Sequence, residues 1–135
     1  MSYPISVIGT DADEANRLRD CRIRTTDGLL EAARTPKGRK QLAELTGIDE
    51  KRLLCLANRA DRMRIKGMGK EYAALLAAVG VETVRELRYR NPKKLAETMA
   101  ELHKKRKMVR LLPSQSLVER WVEDARKLPL KITYR

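Results

Sequence analysis

The sequence predicts an all-α fold. Capping residues recur at short intervals ahead of apolar runs with helical spacing, and glycines fall just after those runs. The strict apolar–polar alternation of strands is nearly absent. Helices are expected at about 11–22, 26–34, 36–45, 49–64, 70–79, 84–90, 92–108 and 115–127.

Each element has a local reason. Thr35-Pro36 and Asn91-Pro92 place a capping side chain before a proline at the first helical position, where the missing N–H costs nothing. Asp49 can cap the helix that follows, whose inner face is Leu53, Leu56, Ala57, Ala60 and Met63. Thr83 to Glu86 and Ser116 to Glu119 have the spacing of capping boxes. Gly47, Gly67 and Gly80 each follow a helical stretch and can end it in the left-handed region. The closing LPLKITYR reads as an extended tail.

The chain repeats itself. Residues 15–26 align without gaps on residues 73–84: Ala15 on Ala73, Leu18 on Leu76, Ile23 on Val81, Thr25 on Thr83. Leu29 then answers to Leu87, and Ile8-Gly9 to Met68-Gly69 with two extra residues in the first copy. The expected organisation is a single compact domain over 1–135. It holds a first unit at 5–34, connecting helices at 35–64, a second unit at 65–110 and a C-terminal helix at 113–128.

Charge narrows the partners. The 135 residues hold 30 Lys and Arg against 18 Asp and Glu, a net charge of +12 that attracts polyanions. The absence of Phe, with one Trp and four Tyr, disfavours an aromatic platform for single strands. No apolar run is long enough to span a membrane, and MSYPISVIG lacks the pattern of a secretory leader. Cys21 and Cys55 form no Cys-x-x-Cys pair and are expected as reduced, core or half-buried thiols of a cytoplasmic protein.

The turn IKGMGK at 65–70 is the strongest candidate site. Gly67 and Gly69 flank an apolar Met68, and Lys66 and Lys70 stand on either side. The amides that open the next helix carry the positive end of its dipole and can hold a phosphate oxygen. A sharp corner without a ligand explains the same glycines. Ile65-Lys66-Gly67-Met68-Gly69, then Ala73, Leu76, Gly80-Val81-Glu82-Thr83-Val84 and Leu87, resemble the helix-hairpin-helix motif. Val79 to Leu95 also resembles the C-terminal helical domain of bacterial RNA polymerase α subunits, a relative of that fold. The whole chain, Leu30 to Leu128 above all, resembles a bacterial family of small tandem helix-hairpin-helix proteins of uncharacterised function. The likeness includes Pro36-Lys37-Gly38-Arg39, Thr46-Gly47-Ile48 and Arg64 to Gly69. It implies two such units and main-chain contact with the DNA backbone, without sequence reading. The first unit departs from the pattern. Val7 and Arg22 stand where glycines should, and Asp11, Asp13 and Glu14 would repel phosphate there.

The expected nucleic-acid contacts are Lys66, Gly67, Met68, Gly69 and Lys70, with Arg62, Arg64, Arg88, Lys93 and Lys94 from flanking basic clusters. Double-stranded DNA is favoured over RNA, and a protein-interaction module is the alternative. The densest basic run, Lys104 to Lys107 with Arg110, resembles a short nuclear import signal, a pattern common by chance, and a solvated helix face explains it equally. Residues 39–58 have helix-turn-helix spacing, yet Asp49 and Glu50 at the tip would face phosphates. Trp121 is expected as a core anchor of the last helix and His103 as a surface residue. No nucleophile–base set, P-loop or metal-ligand cluster is present in the sequence, so neither catalysis nor a cofactor is expected.

Overall fold

The computed structural model describes residues 2–135. It is all-helical: a 3-10 turn at Ile5–Ile8 precedes eight α-helices. These are α1 (Ala12–Asp20), α2 (Thr26–Ala33), α3 (Pro36–Thr46), α4 (Glu50–Arg62), α5 (Gly69–Ala78), α6 (Val84–Arg88), α7 (Pro92–Lys105) and α8 (Gln115–Lys127). There is no strand among the described residues, only an isolated bridge between Pro4 and Thr25.

The expected single domain comprises two compact units. The first takes the chain up to Arg64 and adds Lys131–Arg135; the second is Ile65–Leu130. The helices expected as connectors, α3 and α4, belong to the first. Its core gathers Ile5, Leu18, Leu29, Leu30, Leu53 and Leu56, all essentially without solvent contact. The extended tail is part of it. Ile132 packs against the core, and Thr133 donates its N–H to the Arg34 carbonyl at 2.8 Å. Buried Arg39 donates to the Ala33 carbonyl at 2.9 Å and to the Thr133 carbonyl at 2.8 Å. The same burial pulls the Arg39 guanidinium below its ordinary pKa.

The second unit packs α8 against α6 and α7. Trp121 is its largest fully buried side chain, surrounded by a core that includes Leu75, Leu76, Val81, Leu87, Leu95 and Met99.

Local capping chemistry sets most helix starts. Asp11, Thr25, Thr35, Thr83, Asn91 and Ser114 each accept a backbone N–H from the first turn of their helix. Three expectations are corrected. Asp49 stands at the N-cap of α4 but its side chain makes no capping bond. The cap of α8 is Ser114, which accepts from Leu117, so Ser116 lies inside the helix. α7 stops at Lys105, short of residue 108, because Arg106 turns extended at φ −143° and ψ 114°.

The two repeat copies fold alike at their second corner. Ile23 N–H bonds the Leu18 carbonyl at 2.9 Å, and Val81 N–H bonds Leu76 at 2.9 Å. Arg22 N–H bonds Arg19 at 2.9 Å, and Gly80 N–H bonds Ala77 at 3.0 Å. Both pairs are the 6→1 and 5→2 bonds of a Schellman helix end. That geometry demands a left-handed residue. Gly80 supplies it at φ 92°, and Arg22 adopts it at φ 64° despite its Cβ.

Candidate nucleic-acid interface

In the second unit the turn Ile65 to Gly69 leads directly into α5. Ile65 and Met68 are buried and anchor the turn on the core, while Lys66, Gly67, Gly69 and Lys70 are exposed. Met68 donates its N–H to the Ile65 carbonyl at 3.2 Å and so closes the turn. Met68 therefore serves this corner as a core residue.

The two glycines have different surroundings. Gly67, at φ 77°, faces α8: a methyl group on it would lie 3.7 Å from Leu117 Cδ1 and 3.9 Å from Trp121 Nε1. Gly69, at φ 62°, faces open space, with nothing within 4 Å of such a methyl. Both conformations are ones that residues with a Cβ adopt at a cost. Gly69 is also the first residue of α5, and no side chain caps that helix. The amides of Gly69, Lys70 and Glu71 have no acceptor within the helix. They carry the positive end of its dipole, with Lys66 and Lys70 exposed nearby.

The flanking arginines have other uses. Arg62, on α4, is buried, and its side chain is thereby removed from solvent. Arg64 donates Nε–H to Asp61 Oδ1 at 2.7 Å, an ion pair largely shielded from water. Burial pushes the Asp61 carboxyl above the ordinary aspartate range, against the pull of Arg64. Arg88 reaches the C-terminus of α8. It donates to the carbonyls of Ala125 at 2.8 Å, Arg126 at 3.0 Å and Leu128 at 2.8 Å. There it satisfies orphan carbonyls at the negative end of that helix. Lys93 and Lys94 are exposed in the first turn of α7. Residue type alone could not show that Arg88 is engaged, since its partners lie 37 or more residues away; the partner of Arg64 is only three residues away.

The first corner is built differently. Asp11 accepts the Glu14 N–H at 2.7 Å, and Glu14 accepts the Asp11 N–H at 3.0 Å, a complete capping box. Arg52 from α4 grips Glu14 at 2.7 Å, and Arg59 donates to the Ile8 carbonyl at 3.0 Å. The hydrogen bond from Arg52 holds the Glu14 carboxyl below the ordinary glutamate range. The acids were legible in the sequence; their partner Arg52 was not, because it lies 38 residues away.

The other singled-out residues also have places. Leu42, Ile48, Leu53 and Leu56 of the 39–58 stretch are buried in the first unit, with the left-handed Gly47 between α3 and α4. Trp121 is fully buried, as expected, and its ring lies 5.1 Å from Tyr72 at 54°. His103 is half-buried instead of a plain surface residue, and its Nδ1 is enclosed. Cys21 is half-buried, but Cys55 is exposed, against expectation. No helix among the described residues is long and apolar enough to cross a membrane. No group of three or more His, Cys, Asp or Glu among them could hold a metal ion.

No curated protein and no solved structure matches the chain. One family model does, over residues 8–128, which takes in the repeat and all eight α-helices. The chain therefore belongs to the family described as domain of unknown function DUF4332.

Proposed function

We propose that the protein binds nucleic acid without reading sequence, duplex DNA in preference to RNA. The contact is the corner at Lys66, Gly67, Gly69 and Lys70. One observation carries this reading: α5 opens at an exposed glycine with uncapped amides, with two exposed lysines close by in the chain. Such a terminus accepts a phosphate oxygen without any side chain. The net charge of +12 favours the same partner. The likeness of Ile65 to Leu87 to the helix-hairpin-helix motif supports this use of the backbone. Lys93 and Lys94 are exposed and add to the charge of this unit. Arg62, Arg64 and Arg88 are set aside as contacts, because burial or existing bonds occupy them. The role is non-catalytic and needs no cofactor.

Anisotropy of a labelled duplex of arbitrary sequence, titrated at low and raised salt, tests the reading. Binding should weaken steeply with salt, and Lys66→Ala with Lys70→Ala should reduce the slope by about 2. No binding at low salt, or a double variant indistinguishable from the parent, defeats it. In that event a protein partner captured from nuclease-treated lysate and stable in high salt would identify the alternative, an interaction module.

A further inference from the structure

The densest basic run of the sequence is not simply a solvated helix face. α7 ends at Lys105, and the chain continues as a loop from Arg106 to Pro113 before α8. Val109 is buried, and Met108 and Leu112 pack against the core of the second unit. Arg106, Lys107, Arg110 and Leu111 point outward, with Leu111 74% exposed. The inward residues pin the loop, and the outward ones form a short basic ridge tipped by an apolar side chain.

The ridge has a fixed address. Tyr72, in the first turn of α5, donates its hydroxyl to the Leu111 carbonyl at 3.0 Å. The Tyr72 ring in turn packs on Trp121, whose Nε1 lies 3.9 Å from the Cβ position of Gly67. Trp121, Tyr72 and Leu111 thus form one continuous set of contacts within the second unit, with the open side of Gly67 facing Trp121. That chain of contacts ties the loop to the helix start bearing Gly69 and Lys70. None of Arg106, Lys107 and Arg110 enters an ion pair among the described residues, although acidic side chains pair with five arginines and a lysine elsewhere.

We propose that the loop at 106–111 is a second contact element for the same duplex. Arg106, Lys107 and Arg110 take phosphates, and Leu111 lies against the deoxyribose face between them. The inference rests on the nucleic-acid reading of the α5 corner and extends it to a two-point grip. Two backbone contacts on one compact unit set its orientation on a duplex without base contacts. Phosphate spacing is regular in every sequence, so the grip stays sequence-independent.

The same anisotropy titration over a range of salt decides it. Three proteins are compared with the parent: Arg106→Ala with Lys107→Ala and Arg110→Ala; Lys66→Ala with Lys70→Ala; and Arg19→Ala with Lys40→Ala and Lys51→Ala. The last removes the same charge from exposed positions of the first unit. The loop triple should lower the salt slope by about 2 to 3, and the control triple by less than about 1. Tyr72→Phe, which frees the Leu111 carbonyl and keeps every charge, should weaken binding several-fold with the slope unchanged. If the loop triple matches the control while the 66/70 pair loses affinity, the loop proposal falls and the corner reading stands. If the loop triple loses affinity and the 66/70 pair does not, the corner reading falls, and the two-point grip with it. If the parent does not bind, both fall.

Discussion

The two copies of the repeat share a backbone frame and finish it with opposite electrostatics. In the first, Gly9 at φ 81° is covered by Arg59, whose Nη1 lies 2.9 Å from the glycine's Cβ position. Glu14 and Asp11 then accept the Asp11 and Glu14 amides at the start of α1, and Arg52 neutralises Glu14. In the second, Gly69 at φ 62° is open and no side chain caps α5. The first copy has two more residues between Gly9 and Ala15 than the second has between Gly69 and Ala73, and Asp11 and Glu14 lie in that stretch. A carboxylate at a helix N-terminus does from within what a bound phosphate would do from outside. The first corner has its anion built in, and in the second no side chain fills that place.

This contrast can be broken at three depths. The largest effect tests the shared frame. Leu18 and Leu76 are equivalent and fully buried, so Leu18→Ala and Leu76→Ala should each cost about 2–5 kcal/mol in urea unfolding followed by circular dichroism. A nearly silent substitution at one of them would show that the copies are not packed alike.

The next tests the built-in anion. Glu14→Gln keeps the shape and loses the charge, and should cost about 1–2 kcal/mol at neutral pH, as expected for a partly buried charged hydrogen bond. The sign with pH follows from the lowered Glu14 pKa. A depressed folded value stabilises fully above the unfolded glutamate value of about 4.3 and is lost as pH falls through the folded one. The deficit of the variant should therefore shrink to nothing in acid. A deficit that persists at low pH would assign the effect to packing.

The smallest tests the helix end. Arg22→Gly relieves a left-handed arginine and should stabilise by up to about 1 kcal/mol, since glycine's greater unfolded-state entropy offsets part of the gain. Gly80→Arg should destabilise by about 1–2 kcal/mol, because the Schellman bonds are the same. Equal midpoints for both variants and the parent would remove the left-handed position from the account.

Much of the fold was legible because its signals are short-range. Thr35, Thr83 and Asn91 act within one turn of their own position, and the helices they start open where expected. Ser116 failed for a related reason: Ser114 offers the same chemistry two residues earlier, and it is Ser114 that accepts the Leu117 N–H. The 3-10 turn at Ile5–Ile8 is too short to show a period. The candidate corner was visible through its glycines and lysines. Tyr72, which fixes the loop beside it, was not, because its partner is the main-chain carbonyl of Leu111, 39 residues away.

The sequence by itself determined the helical class, the internal repeat and the position of the glycine corner. All three rest on propensity, capping and spacing, which act over a few residues. Tertiary structure decided which cations are free. Arg88 closes the end of α8, Arg64 pairs with Asp61, Arg52 holds Glu14, and Lys66, Lys70 and Arg110 face solvent. A charge on a long side chain takes its role from whatever lies within hydrogen-bond reach, and only the packed chain sets that.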